Sequence, residues 1–285
     1  MASIIDGKEV SQHIRKQVSE EVAALKEKTG IVPGLAAVLV GNNPASEIYV
    51  RNKRKACGEV GIYSEEYKLP DDTTEGGLLS LIDNLNGDPK IHGILVQLPL
   101  PKQINEAKIL RSVSPLKDID GFHPENVGYL VEGNPRFVPC TPHGIIKLLE
   151  YYSIDIQGKE AVVVGRSNIV GKPVSLLLLH RHATVTICHS RTKPLEEVTR
   201  RADILVAAIG RANFITGDMV KDGVVVIDVG INRNSDGKLT GDADFEGVKE
   251  KASFITPVPG GVGPMTIAML LWNTLSSAKS SKGLL

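Results

Sequence analysis

Residues 161–173 read Ala-Val-Val-Val-Gly-Arg-Ser-Asn-Ile-Val-Gly-Lys-Pro. A short apolar run, 161–164, stops at Gly165. A second glycine, Gly171, precedes Pro173 and a further apolar run, 174–179. Proline suits the first turn of a helix, because its missing N–H would have no partner there. The pattern predicts a strand, a tight turn and a helix. That unit sets a pyrophosphate against a helix N-terminus, where backbone N–H groups point at the anion. The spacing is one residue longer than the usual G-x-G-x-x-G, and Ser167 replaces the middle glycine. A plain strand–helix turn in an α/β domain fits the same residues.

The next strand candidate, 184–188, bears on the cofactor. NAD sites carry an acid about 20 residues after the first glycine, to bond the ribose hydroxyl. Here the strand runs into His189-Ser190-Arg191-Thr192, with no acid. A carboxylate would repel a ribose phosphate, whereas Ser190, Arg191 and Arg166 suit one, since guanidinium matches phosphate geometry. NADP is therefore expected over NAD. Taken alone, Arg191 also fits a solvated loop.

Outward from this turn, strand and helix patterns alternate. Further strand candidates are 204–208 and 224–228 in the second half, and 34–41 (GLAAVLVG) and 93–98 (GILVQL) in the first. Helical spacing appears in Val10, Ile14, Val18, Val22 and Leu25, over about 45–59, in Leu78, Leu81, Ile82 and Leu85, over 143–152, and in Ile267, Leu270, Leu271 and Leu275. Such alternation implies βαβ units and a mainly parallel sheet. The stretch 118–141 is richer in Gly, Pro and Asn, and a domain junction is expected at its end. The Ser/Lys-rich tail, 276–282, is expected to fray.

The chain has 285 residues, enough for two domains, with 42% hydrophobic and 23% charged residues. Its 33 basic residues equal its 33 acidic ones, which argues against a nucleic-acid binder. Cys57, Cys140 and Cys188 are odd in number and far apart, as in a reducing, cytoplasmic protein. No metal-ligand spacing occurs, no apolar run reaches membrane-span length, and residues 1–10 lack a signal-peptide core.

Several first-half residues carry candidate chemistry. Ser46, Tyr49 and Lys53 fall on one face of a predicted helix, offering a ring for stacking and an amine. A Tyr–Lys pair at this spacing is more often a solvated face. Gln97 ends an apolar strand candidate, where ligands collect in open α/β sheets. Asp118 and Asp120 can accept paired N–H donors from a heterocycle, or serve as turn acids. The loop 256–266, with three prolines and three glycines, lets backbone approach a ligand or simply connects domains. Trp272 reads as core.

Together, and in order, Y-V-R-N-K-x-K (49–55), V-Q-L-P-L-P (96–101), K-D-I-D-G (117–121), G-R-S-x-I-V-G-K-P (165–173) and P-G-G-V-G-P-M-T (259–266) resemble the bifunctional methylenetetrahydrofolate dehydrogenase/methenyltetrahydrofolate cyclohydrolase family. The resemblance implies an N-terminal α/β substrate domain, 1–140, completed by a C-terminal helix, 265–279. It implies a Rossmann-like parallel-sheet domain, 141–264, a cleft between the two, and a homodimer. Tetrahydrofolate derivatives are the implied ligands, with no nucleic acid and no membrane. Tyr49 is then expected to stack on the folate and Lys53 to be the catalytic amine. Gln97 orients Lys53, and Asp120 binds the pterin. Ser46 and the loop residues Gly261, Val262, Gly263, Pro264 and Thr266 line the substrate site. Gly165, Arg166, Ser167, Ser190 and Ile231 contact NADP. The cations Arg51, Arg54 and Lys55 are expected beside the Lys53 amine. Rival readings are a dehydrogenase without hydrolase activity and a non-catalytic NADP sensor. A short-chain dehydrogenase would place its Tyr–Lys pair after the glycine-rich turn, not before it.

Overall fold

The computed structural model describes residues 2–234 and 237–284, so Met1 of the expected first domain lies outside the described residues. In chain order the elements are β1 (Ser3–Ile4), α1 (Gly7–Thr29), β2 (Gly34–Val40), α2 (Pro44–Val60), β3 (Tyr63–Leu69), α3 (Glu75–Gly87), β4 (Gly93–Val96), α4 (Glu106–Ser112), α5 (Pro124–Val131) and α6 (Cys140–Tyr151). They continue with β5 (Glu160–Val164), α7 (Gly171–Leu179), β6 (Thr184–Cys188), α8 (Leu195–Thr199), β7 (Ile204–Ala207), a short turn at Gly217–Met219, β8 (Val225–Asp228), β9 (Asn232–Arg233), β10 (Leu239–Thr240), α9 (Phe245–Lys249), β11 (Phe254–Ile255) and α10 (Val262–Ser280). Two compact units result. One gathers the chain up to Gln12 with Thr141–Thr266, and the other gathers His13–Cys140 with the chain from Ile267 on.

The second of these, the substrate unit, is built on a three-stranded parallel sheet in the order β3-β2-β4. β2 is apolar throughout and every residue in it is buried, as a central parallel strand covered on both faces must be. Leu78, Ile82 and Leu85 of α3 pack with Ala36, Val38 and Val40 of β2 and with Ile94 and Val96 of β4. Each fully buried Leu or Ile contributes about 1.5–3 kcal/mol. β3 was not expected from sequence. It reads YSEEYKL, with no apolar run, because it is an edge strand whose charges stay in water. The second turn of α10 onward belongs to this unit: Asn273 and Thr274 are buried, and the Ser277 hydroxyl sits against the His92 and Leu116 carbonyls. The tail expected to fray is helical through Ser280.

The nucleotide unit carries a six-stranded sheet in the order β1-β11-β8-β7-β5-β6, parallel at every pairing. From β5 the chain goes outward to β6, then returns past β5 to β7. The strand order thus reverses between β5 and β7, and ligands of such sheets collect outside the carboxyl ends there. Residues 161–164 are buried, as are all residues of β7 and β8. The edge strand β1 comes from the chain's start, with Ser3 opposite Phe254 and Ile4 opposite Ile255.

Candidate functional site

In the substrate unit, three elements converge. Asn43 accepts the Ser46 N–H at 3.2 Å and Pro44 opens α2, so the helix starts where a cap and a proline favour it. Its spacing turns Ser46 and Lys53 inward, both buried, while Tyr49 keeps its ring open to solvent one turn before Lys53. Gln97 follows β4 at its carboxyl end, where its N–H donates to the Val38 carbonyl at 2.9 Å. The Gln97 Nε2 donates to the Leu98 carbonyl at 2.8 Å, which fixes the amide's orientation. Its Oε1 therefore faces Lys53, whose Nζ donates to it at 3.1 Å. The expected ring of cations is not there. Arg51, Arg54 and Lys55 are exposed, with Arg54 paired to Glu66 and Lys55 to Glu59, because successive helix positions point different ways.

The charge that does act on Lys53 is an acid. Asp120 keeps a partly exposed face, but burial of its carboxyl pushes the pKa up to about 6, with the Lys53 charge pulling it down, Asp118 pushing it up and a contact from Cys140 lowering it. Cys140 Sγ lies 3.8 Å from Asp120 Oδ1 and 3.5 Å from the Ile119 carbonyl. Burial holds that thiol well above its ordinary value, so it stays neutral. Asp118 is the brace. Its carboxylate accepts N–H groups from Phe122 at 3.2 Å and His123 at 2.8 Å, and the Asn126 amide at 2.8 Å. Asn273 of α10 donates to the Ile119 carbonyl at 2.8 Å and the Val138 carbonyl at 2.9 Å, tying together the segments that carry Asp120 and Cys140. Asn273 and Cys140 were missed from sequence. The available signal was one amide within an apolar helix, since a buried amide needs partners.

In the nucleotide unit, Gly165 follows β5 with φ 134°, and a Cβ there would lie 2.1 Å from the Ala208 carbonyl oxygen. Only glycine fits a turn this close to the end of β7. Ser167 explains the longer spacing: its Oγ accepts the Val170 N–H at 3.1 Å and the Gly171 N–H at 3.2 Å, closing the turn before α7. Arg166 and Arg191 are exposed and form no ion pair among the described residues. Ser190 lines a groove of about 640 Å³ with His189, Thr192 and Arg211. Arg211, stacked on Phe214 with its guanidinium 4.5 Å from the ring centre, is a further cation there that sequence reading missed.

Two buried acids shape the same carboxyl edge. Asp228 accepts the Gly230 N–H at 2.8 Å, the Asp242 N–H at 2.9 Å and the Ala243 N–H at 2.8 Å. Asp242 in turn accepts the N–H groups of Ile209, Gly210 and Arg211 at 2.5, 2.9 and 2.9 Å, and the Asn232 amide at 2.9 Å. Burial pushes Asp228 up to about 6 against the pull of its three N–H partners. Ile231, exposed, stands on the loop they hold. The expected loop 261–266 is largely helix: α10 starts at Val262, so Val262, Gly263, Pro264 and Thr266 form its first turn, with Pro264 again early in a helix. Gly261 donates to the Pro257 carbonyl at 2.8 Å, and the Thr266 and Thr141 hydroxyls bond at 2.9 Å.

Among the described residues no group of three or more His, Cys, Asp or Glu is placed to hold a metal ion. No described helix is long and apolar enough to cross a membrane.

Residues 5–120 match the family model described as tetrahydrofolate dehydrogenase/cyclohydrolase, catalytic domain, and residues 139–282 match that family's NAD(P)-binding domain. The bifunctional protein FolD of Moorella thermoacetica is 62% identical over 278 residues, covering 98% of this chain and 99% of that one. The solved bifunctional FolD enzyme of Campylobacter jejuni is 54% identical, with TM-score 0.96 and coverage of 99% of this chain and 100% of that one. The Trypanosoma brucei enzyme, solved with NADP cofactor and inhibitor, is 41% identical, with TM-score 0.94 and coverage of 99% and 98%.

Proposed function

The chain belongs to the tetrahydrofolate dehydrogenase/cyclohydrolase family, and on that premise we propose that one set of side chains around Lys53 serves both of its activities. The protein oxidises methylenetetrahydrofolate to methenyltetrahydrofolate with NADP and hydrolyses that product to 10-formyltetrahydrofolate. The chemistry NADP supplies is acceptance of a hydride from the methylene carbon. The cation left behind is delocalised, and no separate proton is removed, so alignment of two rings is the protein's main task in this step.

Hydrolysis asks more of the chain. Water must lose a proton as it attacks the methenyl carbon, and Lys53 is the amine that accepts it. The 3.1 Å bond from Lys53 to Gln97 is the observation that carries this reading, because it aims a buried amine at the carboxyl end of the sheet. Gln97 positions the amine and Asp120 holds the pterin by accepting its N–H groups. Tyr49, one turn away and open, stacks on the folate, and Ser46 adds a substrate contact; Gly261, Val262, Gly263, Pro264 and Thr266 are read as further substrate contacts. Gly165, Arg166, Ser167, Ser190, Arg191 and Ile231 hold NADP. Arg166 and Arg191, free of acid partners, meet the ribose phosphate.

The chain is read as cytoplasmic, consistent with three buried free thiols. It is read as a homodimer, consistent with an edge strand, β6, that leaves Ile187 exposed. The domains are taken as 1–140 with 265–279, and 141–264, except that the segment up to Gln12 packs with the second.

The function is tested by following the purified chain with methylenetetrahydrofolate and either dinucleotide. NADPH formation together with accelerated methenyl decay is expected, with a much lower KM for NADP than for NAD. NADP binding without turnover would instead mark a sensor.

A further inference from the structure

A groove of about 760 Å³ opens on the substrate unit, at the amino ends of β3 and β4 and the end of α10. Gln97 lies at the other end of β4, so this groove is separate from the Lys53 site. Its volume falls within the range of small-molecule sites, about 300–1,000 Å³. The walls are mostly apolar, with Ile31, Tyr63, Ile91, Leu116 and Phe137 among them. Its floor is braced: the Ser277 hydroxyl lies 2.5 Å from the His92 carbonyl and 2.9 Å from the Leu116 carbonyl, its one proton shared between them.

The charges are one-sided. Lys90, Lys117, Arg136 and Lys282 line the groove and no acid does, in a chain whose 33 bases balance 33 acids. Asp88 and Glu65 act on groove residues from behind the lining, and their carboxylates are turned to other donors. Asp88 accepts the Lys90 N–H at 2.8 Å, Glu65 takes the Tyr63 and Tyr67 hydroxyls, and Glu125 takes Arg136 at 2.9 Å. Lys117 is held by the Leu85 and Asp88 carbonyls. The ammonium groups of Lys90 and Lys282 form no hydrogen bond or ion pair among the described residues, and the Lys90 charge reaches Glu65 only at longer range. His92 is held between backbone groups: its Nδ1 accepts the Gly34 N–H at 3.1 Å, and a bond to the Lys90 backbone engages the ring as well. Burial, with the Lys117 charge next, lowers the pKa of that ring and keeps it neutral.

We propose that this groove binds a small organic anion with a flat apolar body, whose carboxylate or sulfonate is met by Lys90 and Lys282. Apolar walls take the body, and two cations free of hydrogen bonds and ion pairs take the acid group, since a charge-assisted bond is the stronger kind.

Anilinonaphthalene sulfonate, a flat fluorescent anion, is the probe. It is titrated into the full chain with NADP and tetrahydrofolate both saturating. One dye per chain is expected. Reversing both charges, Lys90→Glu with Lys282→Glu, should weaken binding by about tenfold or more, the loss of at least one charged contact. Lys90→Arg should retain binding. Anilinonaphthalene without its sulfonate should bind more weakly than the anion. Thermal melting of each variant separates loss of the site from loss of the fold. Dye that binds only when NADP or tetrahydrofolate is left out would overturn the proposal, by placing the dye in the sites already described. Equal affinity in the charge-reversed chain would overturn it too, as would no binding to the wild type, the result if a second copy covers the groove.

Discussion

On its proposed role, Asp120 sets function against stability. Its carboxyl has a pKa of about 6 in the fold against an ordinary value of 3.8, chiefly from burial. The folded chain thus holds this proton more tightly than the unfolded chain does. Between about pH 4 and 6 the unfolded chain ionises first, so this group's ionisation costs stability across that window and the cost then stays constant above it. Asp120→Asn, which mimics the neutral form, should therefore raise Tm at pH 7.5, with the gain shrinking as pH falls toward 4. It should also raise the folate KM in both reactions while leaving NADP affinity in place, because a carboxylate offers two acceptor oxygens and the amide puts an NH2 in place of one. In the wild type, folate affinity should fall as pH drops below about 6. Calorimetry showing unchanged folate binding in Asp120→Asn would remove the residue from the site. Lys53, Gln97 and Asp120 were legible in the sequence as motif members. Their mutual geometry was not, since the bond between Lys53 and Gln97 spans 44 positions. The outward turn of Arg54 and Lys55 follows from helix direction, which a run of basic letters hides.

Among elements, the longer apolar strands were legible, while the charged β3 and the two-residue strands were not. β2, β4, β5 and β7 are continuous apolar runs because both their faces are covered. β3 has no fully buried residue, so its faces need no such run. α5 was overlooked within a Gly- and Pro-rich stretch, although Pro124 opens it and His123 caps it by accepting the Glu125 N–H. The carboxyl ends of β7 and β8 depend on side chains that no pattern announced. Asp242 fills both of its oxygens with N–H donors, and the loop at 209–211 hangs on them. Asp242→Asn would turn an NH2 toward one set of those donors and leave them unpaired, at about 1–3 kcal/mol. The NADP KM should rise by about tenfold, which corresponds to 1.4 kcal/mol, with the folate KM unmoved. Steady-state kinetics in which both constants move together, or neither does, would make Asp242 a general prop for the fold.

Across the whole molecule, motif order was legible and domain composition only partly so. The junction near residue 140 shows in the sequence as a change of texture, and the cut between units falls at Cys140–Thr141. That the chain's first strand joins the nucleotide sheet does not show, because two residues, Ser3 and Ile4, carry that pairing. Two reactions use one substrate unit and differ in whether they need a base. Stopped-flow absorbance on Lys53→Met with methylenetetrahydrofolate and NADP tests it most directly. The substitution keeps much of the side chain's length and removes the amine. Methenyltetrahydrofolate should accumulate, with its enzymatic hydrolysis slowed about 10²–10⁴-fold after the spontaneous rate is subtracted. NADPH formation should fall much less. Hydrolysis in Lys53→Met at the wild-type rate would contradict the account and assign the proton to another residue.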